Sequence, residues 1–278
     1  MMDAAGPAAS GAEPGLVTVS VVSHGQGRLL ARLLADLHAT APATVKRLIV
    51  TLNLDEPLPP LPPWPQGTIE VIRNLRPLGF GANHNQAFRR CQTEWFAVLN
   101  PDLRLAIDVF APLLAEAATG DALLAPAIVE GDGAPADSAR QLLTPWQLAR
   151  RALGHRQPAQ PANTDWLAGM FLLLRREAFA AVGGFDPRFH MYCEDADLCL
   201  RLQLAGWRIR LVEDVAVVHA AQRASRRSWQ HLRWHLTSLL RHWFSLAFWR
   251  YVFARGGVGG IAPMADAGAV RSPDQKAP

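Results

Sequence analysis

The chain has 278 residues, half of them apolar, which is enough for one large domain or two small ones with a substantial core. Its 28 Lys and Arg against 24 Asp and Glu leave it only mildly basic. No run of 18 or more apolar residues occurs, so no spanning helix is expected. The first fifteen residues lack the cationic start and apolar centre of a secretory signal. Cys91, Cys193 and Cys199 show no metal spacing and are odd in number, so they read as reduced thiols of a cytosolic protein.

Residues 1–15 are rich in Ala, Gly and Pro and are expected to be disordered. "LVTVSVVS" (Leu16–Ser23) is short, apolar and β-branched, a buried strand. After a turn, Leu29, Leu30, Leu33, Leu34 and Leu37 recur at helical spacing. "VKRLIVTLN" and "TIEVIRN" are the second and third strands, separated by a stiff, exposed proline-rich loop. "ANHNQAFRRC" reads as a helix and "EWFAVLN" as a fourth strand. A helix over "DVFAPLLAEAA", a strand over "ALLAPAIV" and a loop-rich region over 130–165 follow, with a short helix near Pro145–Leu153. "WLAGMFLLLRREAFAAVGGF" combines a strand and a short helix, and "GWRIRLVEDVAVVHA" supplies late strands. From Ser228 the pattern is helical and aromatic, and the tail from Gly256 is expected to be disordered.

Alternation of strand and helix implies an α/β fold with a mostly parallel central sheet. Ligands of such sheets bind at the carboxyl ends of the strands. That rule points to Ser23–Gly27, Leu52–Asp55, Asn74–Gly81 and Asn100–Asp102, all polar or glycine-rich.

In "LNPD", Pro101 forces a sharp turn after an apolar strand, leaving Asp102 at the strand end. Asp102 fits two roles: a hard ligand for Mg²⁺ or Mn²⁺, with a diphosphate completing the shell, or the cap of the next helix. Gly79 and Gly81 suit close backbone approach or positive φ. In "HMYCEDADLCLRLQLAGW", treated as a helix from Glu194, Asp195 shares a face with Leu198, Cys199 and Leu202. Glu194 and Asp197 lie on another face, within reach of Arg201 or water. Acids are favoured at a helix N-terminus, where they serve either as ordinary caps or as a general base. His219 ends an apolar strand and is followed by Arg223, Arg226 and Arg227, which suit a diphosphate or an anionic surface.

The blocks "VSVVSHGQ", "GFGANHNQAF", "LNPDLRL", "WLAGMFLLLRREAFAAVGGFDPRFHMYCEDADLCLRLQLAGW" and "VVHAAQR", in this order, resemble family-2 glycosyltransferases of the GT-A fold. Within that family they resemble the rhamnosyltransferase-like subgroup of bacterial polysaccharide assembly. The resemblance covers roughly Val17 to Arg227. It implies a GT-A catalytic domain over 16–227, and the residue pattern adds an amphipathic aromatic and Arg-rich helical segment over 228–255 and a disordered tail over 256–278. It implies an inverting transfer of a sugar such as rhamnose from a nucleotide-diphosphate donor to a glycan or lipid-linked glycan acceptor. Asp195 would be the base, with Glu194 beside it. Ser23, His24, Asn53, Gly79, Gly81, Asn85, Asn100 and Asp102 would bind the donor. Trp166, Gly169 and Met170 would line the acceptor site. Asp102 and His219 would hold a divalent cation, Mg or Mn. Where the family's second strand often ends in Val-Asp-Asn, this chain has Leu52 and Asn53, which leaves the nucleobase open between UDP and dTDP.

Rival readings are a nucleotidyltransferase, for which "SHGQGR" is a feeble cationic loop, and a non-catalytic sugar-nucleotide-binding or scaffold protein of the same fold. The Arg/Trp segment lacks a recognised nucleic-acid module, so no nucleic-acid partner is expected. Leu232, Leu236, Leu239, Leu240, Trp243 and Ala247 form one helical stripe among arginines, with no acid from Ala221 to Arg255. The stripe suits either an anionic surface on the inner membrane face or packing as a helical pair; the first is the expectation.

Overall fold

The computed structural model describes residues 13–142, 144, 145, 153, 164–220 and 229–256. In chain order the elements are β1 (Glu13–Ser23), α1 (Gly27–Thr40), β2 (Val45–Leu52), β3 (Thr68–Arg73), α2 (Phe80–Phe88), β4 (Thr93–Leu99) and β5 (Leu103–Arg104). There follow α3 (Phe110–Ala115), β6 (Asp121–Glu130), β7 (Ala139–Arg140), β8 (Trp166–Leu167), β9 (Phe171–Arg175) and α4 (Arg176–Ala181). The chain continues with α5 (Glu194–Leu204), β10 (Arg208–His219), α6 (Trp229–Trp243) and α7 (Leu246–Gly256). β1 begins three residues before the strand read from Leu16. The short helix expected near Pro145–Leu153 falls largely outside the described residues, as do residues 1–12, Arg223–Arg227 and 257–278.

Eight strands form one sheet in the order β3-β2-β1-β4-β9-β6-β10-β5, and β7 pairs with β8 apart from it. The β3-β2-β1-β4 block is parallel, as is the β6–β10 pair. β9 runs antiparallel between β4 and β6, and β5 antiparallel against β10. Side chains alternate across each strand. Trp95, Ala97 and Leu99 of β4 join a core with α1 and α3 on one face. Phe96 and Val98 join a second core with α2, α4 and α5 on the other. Burying such leucines and phenylalanines contributes about 1.5–3 kcal/mol each, offset by chain entropy. A third small cluster of Leu142, Leu200, Phe248 and Tyr251 seats α7 on α5.

Two details depart from the sequence reading. The proline-rich loop is not wholly exposed: Trp64 is buried and its indole N–H donates to the Val45 carbonyl at 2.8 Å. The late strands are one long strand, β10, whose pairing with β6 shifts register between Val212 and Ala216.

The carboxyl ends of β1, β2, β3, β4, β6 and β10 open on one edge of the sheet. The turn after α4 brings Gly183 and Gly184 there in left-handed backbone, φ 75° and 72°, which glycine adopts without steric cost. Phe185, which follows, packs on Gly81 of α2. A Cβ at Gly81 would lie 2.5 Å from the Phe185 Cβ. Gly81→Ala should therefore cost about 1–3 kcal/mol through overpacking, more than the roughly 0.8–1.0 kcal/mol that Ala gains in a helix. A lower thermal midpoint is expected, and a midpoint at or above wild type would mean the two layers separate freely.

Candidate active site

Of the donor-side residues named from the sequence, Ser23, His24, Asn53 and Gly79 lie at or beyond the ends of β1, β2 and β3, where most are engaged by neighbouring parts of the chain. Ser23 is buried, and its Oγ accepts from the Gln26 N–H at 3.1 Å to start α1. The Asn53 amide donates to the Leu78 carbonyl at 2.9 Å and lies 3.1 Å from Nδ1 of the exposed His24. Its Oδ1 accepts from the Leu78 N–H and from Asn74 Nδ2, each at 2.8 Å. Asn53 thus shapes the cleft by pinning residues 74–78. Gly79 and Gly81 serve close approach of chain on chain, not positive φ. A Cβ at Gly79 would lie 2.6 Å from the His190 carbonyl oxygen. Asn85 clasps the Phe185 backbone, donating to its carbonyl at 2.7 Å and accepting from its N–H at 2.9 Å.

At the end of β4, the Asn100 N–H donates to the Met170 carbonyl at 2.9 Å. The Asp102 carbonyl accepts from the Ala220 N–H at 2.9 Å, which places Asp102 beside His219. Asp102 Oδ2 lies 3.2 Å from His219 Nε2. Its Oδ1 is buried without a hydrogen-bond partner. On the far side of the ring, Glu130 Oε1 stands 3.7 Å from Nδ1. The Asp102 hydrogen bond, more than any other influence, raises the His219 pKa.

The helix-cap role for Asp102 is closed: α3 starts at Phe110, and Asp108 Oδ1 accepts from the Phe110 and Ala111 N–H groups at 2.9 and 3.2 Å. Asp108 and Glu130 were not singled out in the sequence. The phrase "IDVFA", an acid just ahead of an apolar helix, was the available signal for the first. Glu130 has only its place at the end of an apolar strand.

Asp195 sits in the first turn of α5. Its Oδ2 accepts from the Gly169 N–H at 2.9 Å and its Oδ1 from the Ala196 N–H at 2.8 Å. Burial raises its pKa, and these N–H groups partly oppose the rise. Glu194 is buried, with Oε2 lacking a hydrogen-bond partner. Burial, then the Asp195 charge, lifts its pKa well above the usual carboxylate value.

Of the two acids expected to pair with Arg201 or water, Asp197 pairs with Arg201 and Glu194 does not. Arg201 Nε bonds Asp197 Oδ2 at 2.7 Å, while its Nη1 donates to the Val182 and Gly184 carbonyls. Those carbonyls hold the guanidinium at its own end of the helix, and Glu194 is seven residues, about 10.5 Å of rise, away.

Of the acceptor-side residues, Gly169 touches Asp195 directly. A Cβ at Gly169 would come 3.3 Å from the Phe80 ring. Met170 ties the segment to Asn100. Trp166 has its indole N–H on the Gln141 carbonyl at 3.2 Å and Arg140 over its ring, and the Arg140 charge acts in turn on Asp195. Among the described residues no group of three or more His, Cys, Asp or Glu side chains is arranged to hold a metal ion. Asp102 and His219 form a pair with one orphaned carboxylate oxygen.

A family model described as "Glycosyltransferase like family 2" matches residues 14–237. The chain belongs to this family. As a family 2 member it is 30% identical over 257 aligned residues to N-acetylglucosaminyl-diphospho-decaprenol L-rhamnosyltransferase of Mycobacterium tuberculosis, covering 79% of this chain and 81% of that one. It is 47% identical over 79 residues to rhamnosyltransferase WbbL of Escherichia coli, a match that spans only 30% of WbbL. Among solved structures, GalNAc-T7 with UDP, GalNAc and Mn²⁺ aligns with a TM-score of 0.61 at 17% identity, over 86% of this chain and 50% of that one. The mannosyltransferase PcManGT of Pyrobaculum calidifontis, with GDP-Man and Mn²⁺, aligns with a TM-score of 0.55 at 16% identity, over 81% of this chain and 64% of that one. These likenesses show the GT-A fold expected from the sequence.

The burial of Glu194 has a consequence for stability. Its folded pKa lies above its unfolded value of about 4.3, so the fold is least penalised below that pH and loses stability as pH rises through the folded value. Glu194→Gln should melt above wild type near pH 8, with the gap closing toward about pH 4. A gap independent of pH would mean that the buried charge is not its cause.

Proposed function

We propose that the chain transfers a sugar, rhamnose being the best fit, from a nucleoside-diphosphate donor to a hydroxyl of a lipid-linked glycan, with inversion. The observation that carries this reading is the Asp195 carboxylate. It is partly buried, raised in pKa and fixed by the Gly169 N–H, one residue from the Met170 carbonyl that binds the strand end bearing Asp102. A sugar hydroxyl is a poor nucleophile and needs a base within hydrogen-bond reach. Asp195 takes the hydroxyl proton as the oxygen attacks the anomeric carbon. The bond from that carbon to the diphosphate oxygen breaks on the opposite face, and its electron pair leaves with the nucleoside diphosphate.

Asp102 and His219 would hold a divalent cation, Mg²⁺ or Mn²⁺, and the unpartnered buried Oδ1 of Asp102 fits that task. When bound, the ion supplies positive charge to the diphosphate as it leaves. Support for the sugar and the acceptor comes from the activity for which the mycobacterial relative is named. A scaffold reading has no use for a desolvated carboxylate at this edge.

The acceptor reading agrees with the outer surface of α6 and α7, which we read as a contact for anionic lipid. No helix among the described residues is long and apolar enough to cross a membrane. Yet Trp229 is 86% exposed, Phe244 84%, Leu246 73% and Phe253 71%, with Leu232, Leu236, Leu240 and Trp249 also outward. Arg233, Arg241 and Arg250 are exposed on the same helices. Apolar anchors flanked by guanidinium groups suit a lipid headgroup region.

Two measurements test these readings. Asp195→Asn should lower the transfer rate by about 10²–10⁴ with donor binding retained, and EDTA should lower wild-type turnover. Wild-type turnover in the variant would remove Asp195 as the base. The intact protein should co-sediment with phosphatidylglycerol vesicles at low salt and be released at high salt. The triple change Leu236→Ser, Leu240→Ser, Phe244→Ser should abolish co-sedimentation. Intact protein that stays in the supernatant at low salt would end the membrane reading.

A further inference from the structure

Tyr192 and Cys193, immediately before Glu194, both have left-handed backbone, φ 73° and 65°. Neither is glycine, and among the described residues no other non-glycine residue has positive φ. Such a conformation persists only where the surroundings over-determine it. Here the surroundings are one face of α6.

Tyr192 Oη and His231 Nδ1 share a hydrogen bond of 2.9 Å. Ser238 Oγ donates to the Met191 carbonyl at 2.8 Å. Arg241 donates to the Arg188 carbonyl. The His190 ring lies against Trp234, with centroids 4.6 Å apart. Residues 231, 234, 238 and 241 are spaced by three, four and three, so all four contacts come from one helical stripe.

From the opposite side, the Phe80 N–H donates to the His190 carbonyl at 2.8 Å. Residues 188–193 are therefore a strap drawn between the donor-side glycine loop and α6. The strap ends where α5 begins, because the Cys193 carbonyl accepts the Asp197 N–H at 2.9 Å. Its geometry fixes the first turn of α5, and with it the direction of Asp195.

We propose that Tyr192 and His231 are positioning residues for the Glu194–Asp195 pair, acting through the left-handed strap. The proposal rests on Asp195 being the base. The Tyr192 Oη bond runs to α6, so its loss is expected to act on turnover. It leaves the ring and its packing against His235 in place.

The test is steady-state transfer from dTDP-rhamnose to a synthetic N-acetylglucosaminyl-diphospho-polyprenol, with wild type, Tyr192→Phe, His231→Leu, His231→Asn and Asp195→Asn side by side. Misplacement of a reacting group by about 1 Å costs on the order of 10²-fold. Tyr192→Phe and His231→Leu should lower kcat by about 10- to 100-fold with donor KM and thermal midpoint unchanged. His231→Asn, which keeps a polar atom near the place of Nδ1, should restore most of the rate. Wild-type kcat in Tyr192→Phe beside an inactive Asp195→Asn would overturn the positioning role and leave the base intact. Loss of kcat only in step with the thermal midpoint, without rescue by Asn, would reduce the contact to a structural one and overturn the proposal as well. Turnover at the wild-type rate in Asp195→Asn would remove the base, and this proposal with it.

Discussion

The site depends on two consecutive residues, Gly169 and Met170, that present main-chain groups in opposite directions. The Gly169 N–H fixes the Asp195 carboxylate, and the Met170 carbonyl fixes the Asn100 N–H at the end of β4. Two hydrogen bonds, one from main chain to carboxylate and one from main chain to main chain, therefore link the Asp195 carboxylate to the strand end that carries Asp102. No rotamer stands between the partners of the second bond, and only the short Asp195 side chain stands between those of the first. A side chain at 169 would press on the ring of Phe80, whose N–H is anchored to the strap at His190, so glycine suits this position.

The C-terminal helices belong to this frame. α7 docks where the 165–170 segment begins. Asp165 is buried and accepts from the Leu142 N–H at 2.8 Å, from Tyr251 Oη at 3.0 Å and from Arg255. α6 docks where the strap runs into α5. The two anchor points flank Asp195 on either side. Leaving a buried acceptor such as Asp165 short of a partner costs about 1–3 kcal/mol, so α7 is held to the domain by more than its apolar contacts. The helices that carry the outward apolar surface are the helices that complete the site.

Much of this was legible in the sequence. Strand–helix alternation announced the parallel block β3-β2-β1-β4, and the polar strand ends announced the edge where Asn53, Asn100, Asp102 and His219 gather. What escaped follows from how hydrophobic patterns work. "FLLLR" marks a buried strand but carries no direction, so the antiparallel entry of β9 between β4 and β6 could not be read. The leucine stripe of the C-terminal segment was read as one face over 232–247, but the helix breaks at Phe244 and Ser245. Leu232, Leu236 and Leu240 face outward, while His231, Trp234, Ser238 and His242 face the domain. The apolar pattern alone left the inner face open between the leucines and the polar side. Here stacked rings and hydrogen bonds to the strap assign it to the polar side. The burial of His242, which pushes its pKa down to about 4, is part of that arrangement. Glu194 escaped because helix geometry places it near Arg201's face without saying which carbonyls compete for the guanidinium.

Asp195 is a desolvated carboxylate, held by the Gly169 N–H and beside a still more buried Glu194. A carboxyl-detected ¹³C NMR titration of the intact protein, with Asp195→Asn as the assignment reference, measures this directly. The pair should titrate in two macroscopic steps. At least one step should lie above the ordinary aspartate value of about 3.9, and the pattern should collapse to a single step in the variant. A resonance lost in Asp195→Asn that titrates at or below about 3.9, independently of Glu194, would contradict the account.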